Sequence, residues 1–465
     1  MIKLFNRYWA VPTVVSLAVE AVLLLFSVWV AYRLRFFDEM GSAFFYSGFP
    51  LRAGVFSAAI LLNLYINGLY DSHERLGVRQ LGVRLLRSFF SASILLLVVY
   101  YITYPALTTG RGVFAISISL SAVLLTTWRL GLRWSLSKSV FSERVLIVGA
   151  DESAQDLARE IIGRDHLGYR VIGFLDDDPS LQGMSLINPR VIGTTSQAAE
   201  ISIDLQASAV VVARDNKRGQ IDMDSLLECK TSGIPVYEGS TYYEKLTGKI
   251  ALEGLRKSWL IFSSGFVVST SDLMAKRLLD LVAATIGLII ALPVIVIVAL
   301  AIRLDSRGPV LYCQKRVGRN GEIFKLIKFR SMREDAEVGG DAVWARENDD
   351  RVTRVGRAIR KTRLDEIPQL FNVLIGDMSL VGPRPERPVF VRRLSEACQF
   401  YDQRLVVRPG CTGWAQIKAP YAASVEESLE KLEYDLFYIK NLSVFLDLSI
   451  LASTLRIVLL GRGAR

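Results

Sequence analysis

The chain has 465 residues, of which 51% are apolar and 22% charged, and its formal net charge is +10. A mean hydropathy of +0.31 excludes a disordered polar protein and argues against a wholly soluble enzyme. Two histidines far apart in sequence, His73 and His166, argue against a histidine zinc site or a Ser-His-Asp triad, and four cysteines that form no CxxC pair indicate neither a zinc knuckle nor a disulfide framework. The cysteines, Cys229, Cys313, Cys398 and Cys411, read as buried thiols in a reducing compartment.

Four apolar segments come first, at Val11–Tyr32, Leu51–Tyr70, Ser88–Tyr104 and Val113–Trp128. Each is long enough to cross a bilayer core, and Tyr and Trp gather at their ends as interfacial anchors do. The first is too long for a signal peptide and has no small-residue cleavage site. Lys3 and Arg7, then Arg75, Arg79, Arg84 and Arg87, then Arg129, Arg133 and Lys138 mark three cytoplasmic segments. Arg33, Arg35 and Arg52 fall outside, partly offset by Asp38 and Glu39. The expectation is four spans over residues 1–140, with the N-terminus and the rest of the chain in the cytoplasm. Glu20, inside the first span, reads as an interhelical hydrogen-bond partner or a protonated acid, with a functional charge as the alternative.

Residues 141–268 have soluble composition. Strand-like runs at Arg144–Val148, Tyr169–Leu175, Ala209–Ala213 and Ile234–Tyr237 alternate with helical stretches such as Ala154–Ile162, which implies a doubly wound parallel sheet. A dinucleotide fingerprint would read GxGxxG at the first turn, but this chain has Gly149-Ala150-Asp151-Glu152-Ser153-Ala154. Asp151 would face the pyrophosphate. Asp176–Asp178 lie where a ribose-binding acid belongs, a weak signal alone. The domain reads as a Rossmann-like regulatory or dimerisation module, with nucleotide binding as the alternative.

A fifth apolar stretch, Leu281–Ile302, is flanked by cations at both ends: Lys276 and Arg277 before it, Arg303, Arg307, Lys315 and Arg316 after it. Pro293 lies mid-run, where it removes a helical hydrogen bond. A helix over about 278–302 that enters the cytoplasmic leaflet, bends at Pro293 and returns accounts for both facts; a plain fifth span is the alternative.

The remaining chemistry lies in Lys361-Thr362-Arg363-Leu364-Asp365-Glu366-Ile367-Pro368-Gln369-Leu370-Phe371-Asn372, preceded by Arg354, Arg357 and Arg360. Surrounding cations keep a carboxylate ionised and attract phosphate oxygens. An ionised carboxylate can attack phosphorus, and its neighbour can hold Mg²⁺. A helix N-terminus with a surface salt bridge explains the pair equally well. Further basic turns follow at Gly382-Pro383-Arg384-Pro385-Glu386 and at Arg408-Pro409-Gly410 with Gly413-Trp414, while Lys325, Lys328 and Arg330 sit in Phe324–Met332. Several such turns beside a membrane hairpin suggest an anionic substrate handled at the bilayer surface.

These motifs carry a resemblance. Residues 272–465 resemble the bacterial polyprenyl-phosphate phosphoglycosyl transferases of the monotopic superfamily. The matching residues are Lys276-Arg277 with Asp280, Gln314–Gly318, Lys328–Met332, Lys361–Asn372, Gly376–Pro385 and Arg408–Gln416. The four-span start and Rossmann-like middle resemble the long, exopolysaccharide-initiating branch. The end, Tyr434–Lys440 through Gly461–Arg465, is similar to the exosortase-associated subgroup. The resemblance implies a catalytic domain over 269–465, a mainly helical α/β unit on a re-entrant membrane helix. It implies that Asp365 attacks the β-phosphate of a UDP-sugar, UDP-glucose or UDP-galactose, and releases UMP. Undecaprenyl phosphate then takes the phosphosugar. Glu366 helps bind Mg²⁺, and Lys328, Arg330, Lys361, Arg363, Arg384 and Arg408 bind substrate phosphates. The implied setting is the cytoplasmic face of a bacterial inner membrane, among its lipids, as a homodimer, with no nucleic acid. Two departures are Cys411, where an aliphatic residue is usual, and Leu292 before Pro293, where many small members carry Ser.

A membrane-bound nucleotide-sugar dehydratase or epimerase is the competing enzyme class, but it needs an intact glycine fingerprint and a Tyr-x-x-x-Lys pair, and here Lys245 follows Tyr242 at three residues. A non-enzymatic scaffold for polysaccharide export would not require Asp365-Glu366 amid basic turns. Because every phosphate or carboxylate motif follows Lys276, residues 1–268 are expected to be dispensable for chemistry.

Overall fold

The computed structural model describes residues 2–4, 7–9, 11–36, 48–70, 77–104, 106–137, 142–164, 168–213, 222–253, 255, 257–263, 265–266, 269–333, 351–419 and 424–459. Arg75, Asp38, Glu39, Lys138, both histidines and the tail 461–465 lie outside the described residues. The chain divides into two compact units, Tyr8–Tyr242 and Tyr243–Arg465.

The first unit opens with helices α1 (Val11–Arg35), α2 (Phe49–Ile66), α3 (Val78–Ile102) and α4 (Arg111–Ser137). All four are long and apolar enough to cross a membrane. Leu24 and Val28 of α1, Phe56 and Ile60 of α2, Leu85 and Leu96 of α3 and Leu125 of α4 form their shared core. Val22, Leu62, Leu97 and Val123 point outward, as lipid-facing residues would. The helix α3 starts ten residues before the apolar run does, because basic Arg79, Arg84 and Arg87 occupy its first turns and solvate them. Glu20 is fully buried and bound on several sides. Arg129 of α4 pairs with it at 2.8 and 2.9 Å, and Tyr70 and Ser16 donate hydroxyl hydrogen bonds. Glu20 is therefore an interhelical polar anchor, with its charge neutralised within the bundle.

A parallel five-stranded sheet follows: β1 (Glu143–Val148), β2 (Tyr169–Leu175), β3 (Val191–Gly193), β4 (Ala209–Val212) and β5 (Val236–Glu238), in the order β3-β2-β1-β4-β5. Helices α5 (Glu152–Ile162), α6 (Ala198–Asp204) and α7 (Met223–Thr231) connect the strands, giving the doubly wound order in which the chain reverses direction at β1. The short β3 has no distinct sequence signal, since only three residues pair. At the first turn Asp151 accepts a hydrogen bond from Ala154 N at 3.1 Å and so caps α5 from within. The helix end that would receive a pyrophosphate is already satisfied by a carboxylate.

The second unit runs through α8 (Gly239–Thr247, all but its first turn), α9 (Lys257–Phe262) and α10 (Thr270–Asp305), then the antiparallel hairpin β6 (Leu311–Val317) and β7 (Ile323–Phe329). After it come α11 (Arg354–Lys361), α12 (Gln369–Ile375), β8 (Ser379–Val381), α13 (Pro388–Ala397), β9 (Gly410–Thr412), α14 (Trp414–Lys418), α15 (Val425–Lys440) and α16 (Val444–Leu459). Strands β8 and β9 pair in parallel. The core joins Ala284 of α10 to Leu326, Val373, Met378, Leu380, Trp414, Leu436, Phe437, Tyr438 and Ile450. Ile250, Leu252, Leu255, Trp259 and Phe266 complete it, so residues that the sequence groups with the middle domain pack here. Among the cysteines only Cys229 is buried; Cys313 is exposed on β6, because a two-stranded hairpin leaves one face uncovered.

The helix α10 continues through Pro293 without interruption, so the proline is accommodated within it rather than ending it. Its middle is bare, with Ile289, Ile290, Leu292 and Ile297 each more than half exposed. Both of its ends are fastened to the same unit. On the N-terminal side Lys276 donates to Val381 O (2.8 Å) and Asp447 (2.6 Å), and Arg277 to Val373 O and Leu374 O. Asp280 accepts from Ser379 Oγ and Leu380 N. On the C-terminal side Val298 and Ile302 pack on Phe329 and Ile359.

Candidate active site

The reactive segment is a bend between two helices. Thr353 caps α11 by accepting from Gly356 N, and the helix ends at Thr362. Arg363 then takes a left-handed conformation (φ 57°, ψ 18°), unusual for a residue with a side chain. That reversal sets Leu364–Glu366 as a 3₁₀ turn ahead of α12, with Leu364 and Ile367 anchored against Phe329 and Ile359. Asp365 and Glu366 are thus held between apolar residues on a rigid turn, instead of lying on a solvated helix start.

Glu366 collects the cations. Arg384 Nη2 donates to its Oε1 at 3.0 Å and Lys328 Nζ reaches the same oxygen at 3.4 Å, while Arg363 Nη1 is 3.8 Å from Oε2. Burial disfavours the charge, but Arg384 and Lys328 outweigh it, and the carboxyl is held down at about 2. Asp365 accepts none of these hydrogen bonds. Burial and the neighbouring Glu366 charge push its carboxyl above the usual aspartate value, against the opposing pull of Lys328, Arg384 and Arg360. The sequence expectation that cations hold the acids ionised therefore applies to Glu366; Asp365 is left more basic and less engaged, as a nucleophile should be.

The other predicted phosphate ligands separate. Lys361 stands exposed on the last turn of α11, outside the Glu366 set. Arg330 is buried and bonds Ser306. Arg408 is half-buried, and burial together with Arg277 and Arg319 nearby lowers its affinity for the proton.

Sequence reasoning overlooked the supports. Arg404 and Asp435 form a buried pair at 2.8 Å, and Arg404 also donates to Tyr401 Oη and to the carbonyl of Arg384. It thereby fixes the turn that aims Arg384 at Glu366. Asn372 pairs with the edge of β7, accepting from Ile327 N and donating to Lys325 O, and so holds the strand that carries Lys328. Asp435 and Asn372 lie within motifs already singled out; Arg404 has no local sequence signal.

Glycines make the crossing beneath Arg384 possible. A Cβ on Gly382 would lie 2.4 Å from Arg408 O and 2.9 Å from Gly410 N, and one on Gly413 would lie 2.3 Å from Gly382 O. Gly382→Ala should destabilise the protein by roughly 1–3 kcal/mol or more and reduce turnover by displacing Arg384. Thermal melts and activity assays test this; an alanine variant matching the parent in both would refute the tight crossing.

A family model described as bacterial sugar transferase matches residues 271–461, and one described as CoA-binding domain matches residues 65–202. Over 240 residues the chain is 43% identical to the UDP-N-acetylgalactosamine-undecaprenyl-phosphate N-acetylgalactosaminephosphotransferase of Aeromonas hydrophila, covering 52% of this chain and 56% of the relative. It is 34% identical over 329 residues to the undecaprenyl-phosphate glucose phosphotransferase of Komagataeibacter xylinus, covering 70% and 60%. To the UDP-galactose-lipid carrier transferase of Erwinia amylovora it is 31% identical over 345 residues, covering 70% of each. The match thus spans little more than half the length of the first two relatives.

Proposed function

The chain belongs to the bacterial sugar transferases, and from that membership we propose that it moves a sugar 1-phosphate from a UDP-sugar to undecaprenyl phosphate. Asp365 Oδ attacks the β-phosphorus. The bond from that phosphorus to the bridging oxygen breaks, and UMP leaves with the electron pair. The lipid phosphate oxygen then attacks the same phosphorus, the bond to Asp365 breaks, and a lipid diphosphate sugar forms. Lys328, Arg363 and Arg384, held in place by Glu366, face the donor's diphosphate and stabilise the charge that develops on it. The observation that carries this reading is the division of labour between adjacent acids: one saturated by cations, the other unengaged and raised in basicity.

Magnesium fits this site in a restricted way. Glu366 Oε1 is bonded by Arg384 and Lys328, so Glu366 would hold an ion only alongside those cations and together with substrate oxygens. Bound there, it would neutralise diphosphate charge. Purified protein given a UDP-sugar and no lipid should release about one equivalent of UMP and stop, as a ping-pong enzyme does. EDTA should abolish that burst and Mg²⁺ restore it. The relatives' names divide between glucose, galactose and N-acetylgalactosamine, so the panel includes all three. UMP formation only when lipid is present would refute the covalent step.

We also infer that α10 re-enters the leaflet it leaves. A full crossing of the ~30 Å apolar core would separate Asp280 and Ile302, yet both contact one soluble unit. Arg79, Arg84 and Arg87 on α3 and Arg129 on α4 favour a cytoplasmic placement of those helix ends. Cysteine probes at the exposed residues 303 and 152 should label from the same, cytoplasmic side. Labelling of residue 303 from outside would establish a true fifth span.

A further inference from the structure

Arg330 is only 6% exposed. Its Nη2 donates to Ser306 O and Ser306 Oγ, each at 2.9 Å. Its Nε and Nη1 are buried and have no hydrogen-bond partner among the described residues. Nor does any carboxylate among those residues form an ion pair with it. A buried guanidinium ordinarily finds a counter-charge, because unmet buried donors are costly and an uncompensated buried charge is costlier still. Nε and Nη1 point to different edges of the guanidinium, and Nη1, with both of its N–H groups unmet, is the donor that can hold a phosphate oxygen.

The position of these unmet donors narrows the occupant. Ser306 caps α10 four residues beyond Ile302, the end of the apolar stretch, so Arg330 is fastened about one helical turn from the hydrocarbon boundary. On the other side, Lys328, two residues along the chain, reaches Glu366 at 3.4 Å. Phe329, between them, shares an apolar cluster with Leu364 and Ile367, which bracket Asp365 and Glu366. Arg330 thus sits between the membrane end of α10 and the reactive turn, and it is not one of the cations that Glu366 engages.

We propose that Arg330 grips a phosphate monoester at a site separate from the Glu366 cations, and that the occupant is the phosphate of the lipid acceptor. This rests on the transfer reaction proposed above. A soluble donor approaches from water, whereas a lipid phosphate is confined to the headgroup plane, where α10 ends. The site deepens the reading by giving each anionic substrate its own cations: donor diphosphate on Lys328, Arg363 and Arg384, acceptor phosphate on Arg330.

The test uses the full-length protein in detergent and two variants, Arg330→Met and Arg330→Lys. Three quantities are read: the UMP burst without acceptor, the dependence of transfer on undecaprenyl phosphate concentration, and thermal stability without substrates. Arg330→Met should keep the burst, while its transfer efficiency towards lipid phosphate falls roughly 10- to 100-fold, as expected for a lost charge-assisted bond. Arg330→Lys should recover part of that loss. The substrate-free Arg330→Met protein should melt no lower than the parent, because an apolar side chain of similar length removes an uncompensated buried charge. A burst that falls in step with transfer would place Arg330 on the donor and overturn the assignment. Lowered stability in Arg330→Met, restored by lysine, would make it a brace on Ser306, and an unchanged lipid dependence would also overturn it. Failure of the parent protein to release UMP from any UDP-sugar would overturn the transfer reaction instead.

Discussion

Asp365→Asn should abolish turnover, with a loss of at least ~10³-fold, because an amide is a poor nucleophile and the covalent route has no substitute for it. The fold should survive. Asp365 accepts no hydrogen bond from the cations around it, and its ionised form is disfavoured by burial and by Glu366, so the neutral amide relieves a repulsion. Nucleotide-sugar affinity and the melting temperature should stay close to those of the parent protein. In the parent, the burst rate should fall on acidification with a midpoint above the ordinary aspartate range, since burial and Glu366 raise the carboxyl. Glu366→Gln should behave differently: it leaves Arg384 and Lys328 without their counter-charge and should lower stability as well as rate. Substantial turnover by Asp365→Asn, or a normal acid limb in that variant, would remove Asp365 from the role of nucleophile.

A fragment starting at residue 269 should fail to fold, while one starting at residue 243 should fold and retain transfer. This reverses the expectation that everything before 269 is dispensable. Glu244, 3% exposed, binds Lys440 Nζ at 2.6 Å and Asn441 Nδ2 at 3.1 Å. Gly248 O accepts from Trp414 Nε1 at 2.8 Å, and the ring of Trp259 lies 4.0 Å from Lys440 Nζ. Ile250 N and Leu252 N bond Glu433. Cutting at 269 strips these partners and five apolar side chains from the core. Each large core side chain removed costs up to ~2–5 kcal/mol, so the five together are comparable to the ~5–15 kcal/mol that holds a typical domain together. It also leaves Lys440 buried without a counter-charge. Circular dichroism, limited proteolysis and UMP release on the two fragments check the prediction. Equal melting temperatures and equal activity for both would show that the segment is an ornament on a self-sufficient domain.

Amphipathic and apolar periodicity needs only neighbouring residues to be read, so the sequence alone determined the five long apolar helices, four of the five parallel strands and the broken glycine fingerprint. The same is true of the pair Asp365-Glu366, where unusual chemistry is adjacent in the chain. Partnership across the chain was a different matter. Whether the cations serve Asp365 or Glu366 depends on a single left-handed residue, Arg363, which turns one acid towards Lys328 and Arg384 and the other away. The dual attachment of α10, the Arg404–Asp435 pair behind Arg384, and the bond from Arg330 to Ser306 join residues 24 to 171 positions apart. Segment 243–268 reads as the end of a soluble sheet domain, yet its apolar residues share a core with Leu436, Phe437 and Ala284, far away in the chain. Tertiary structure alone decided these points, because burial and ion pairing depend on distances in space that no local pattern encodes.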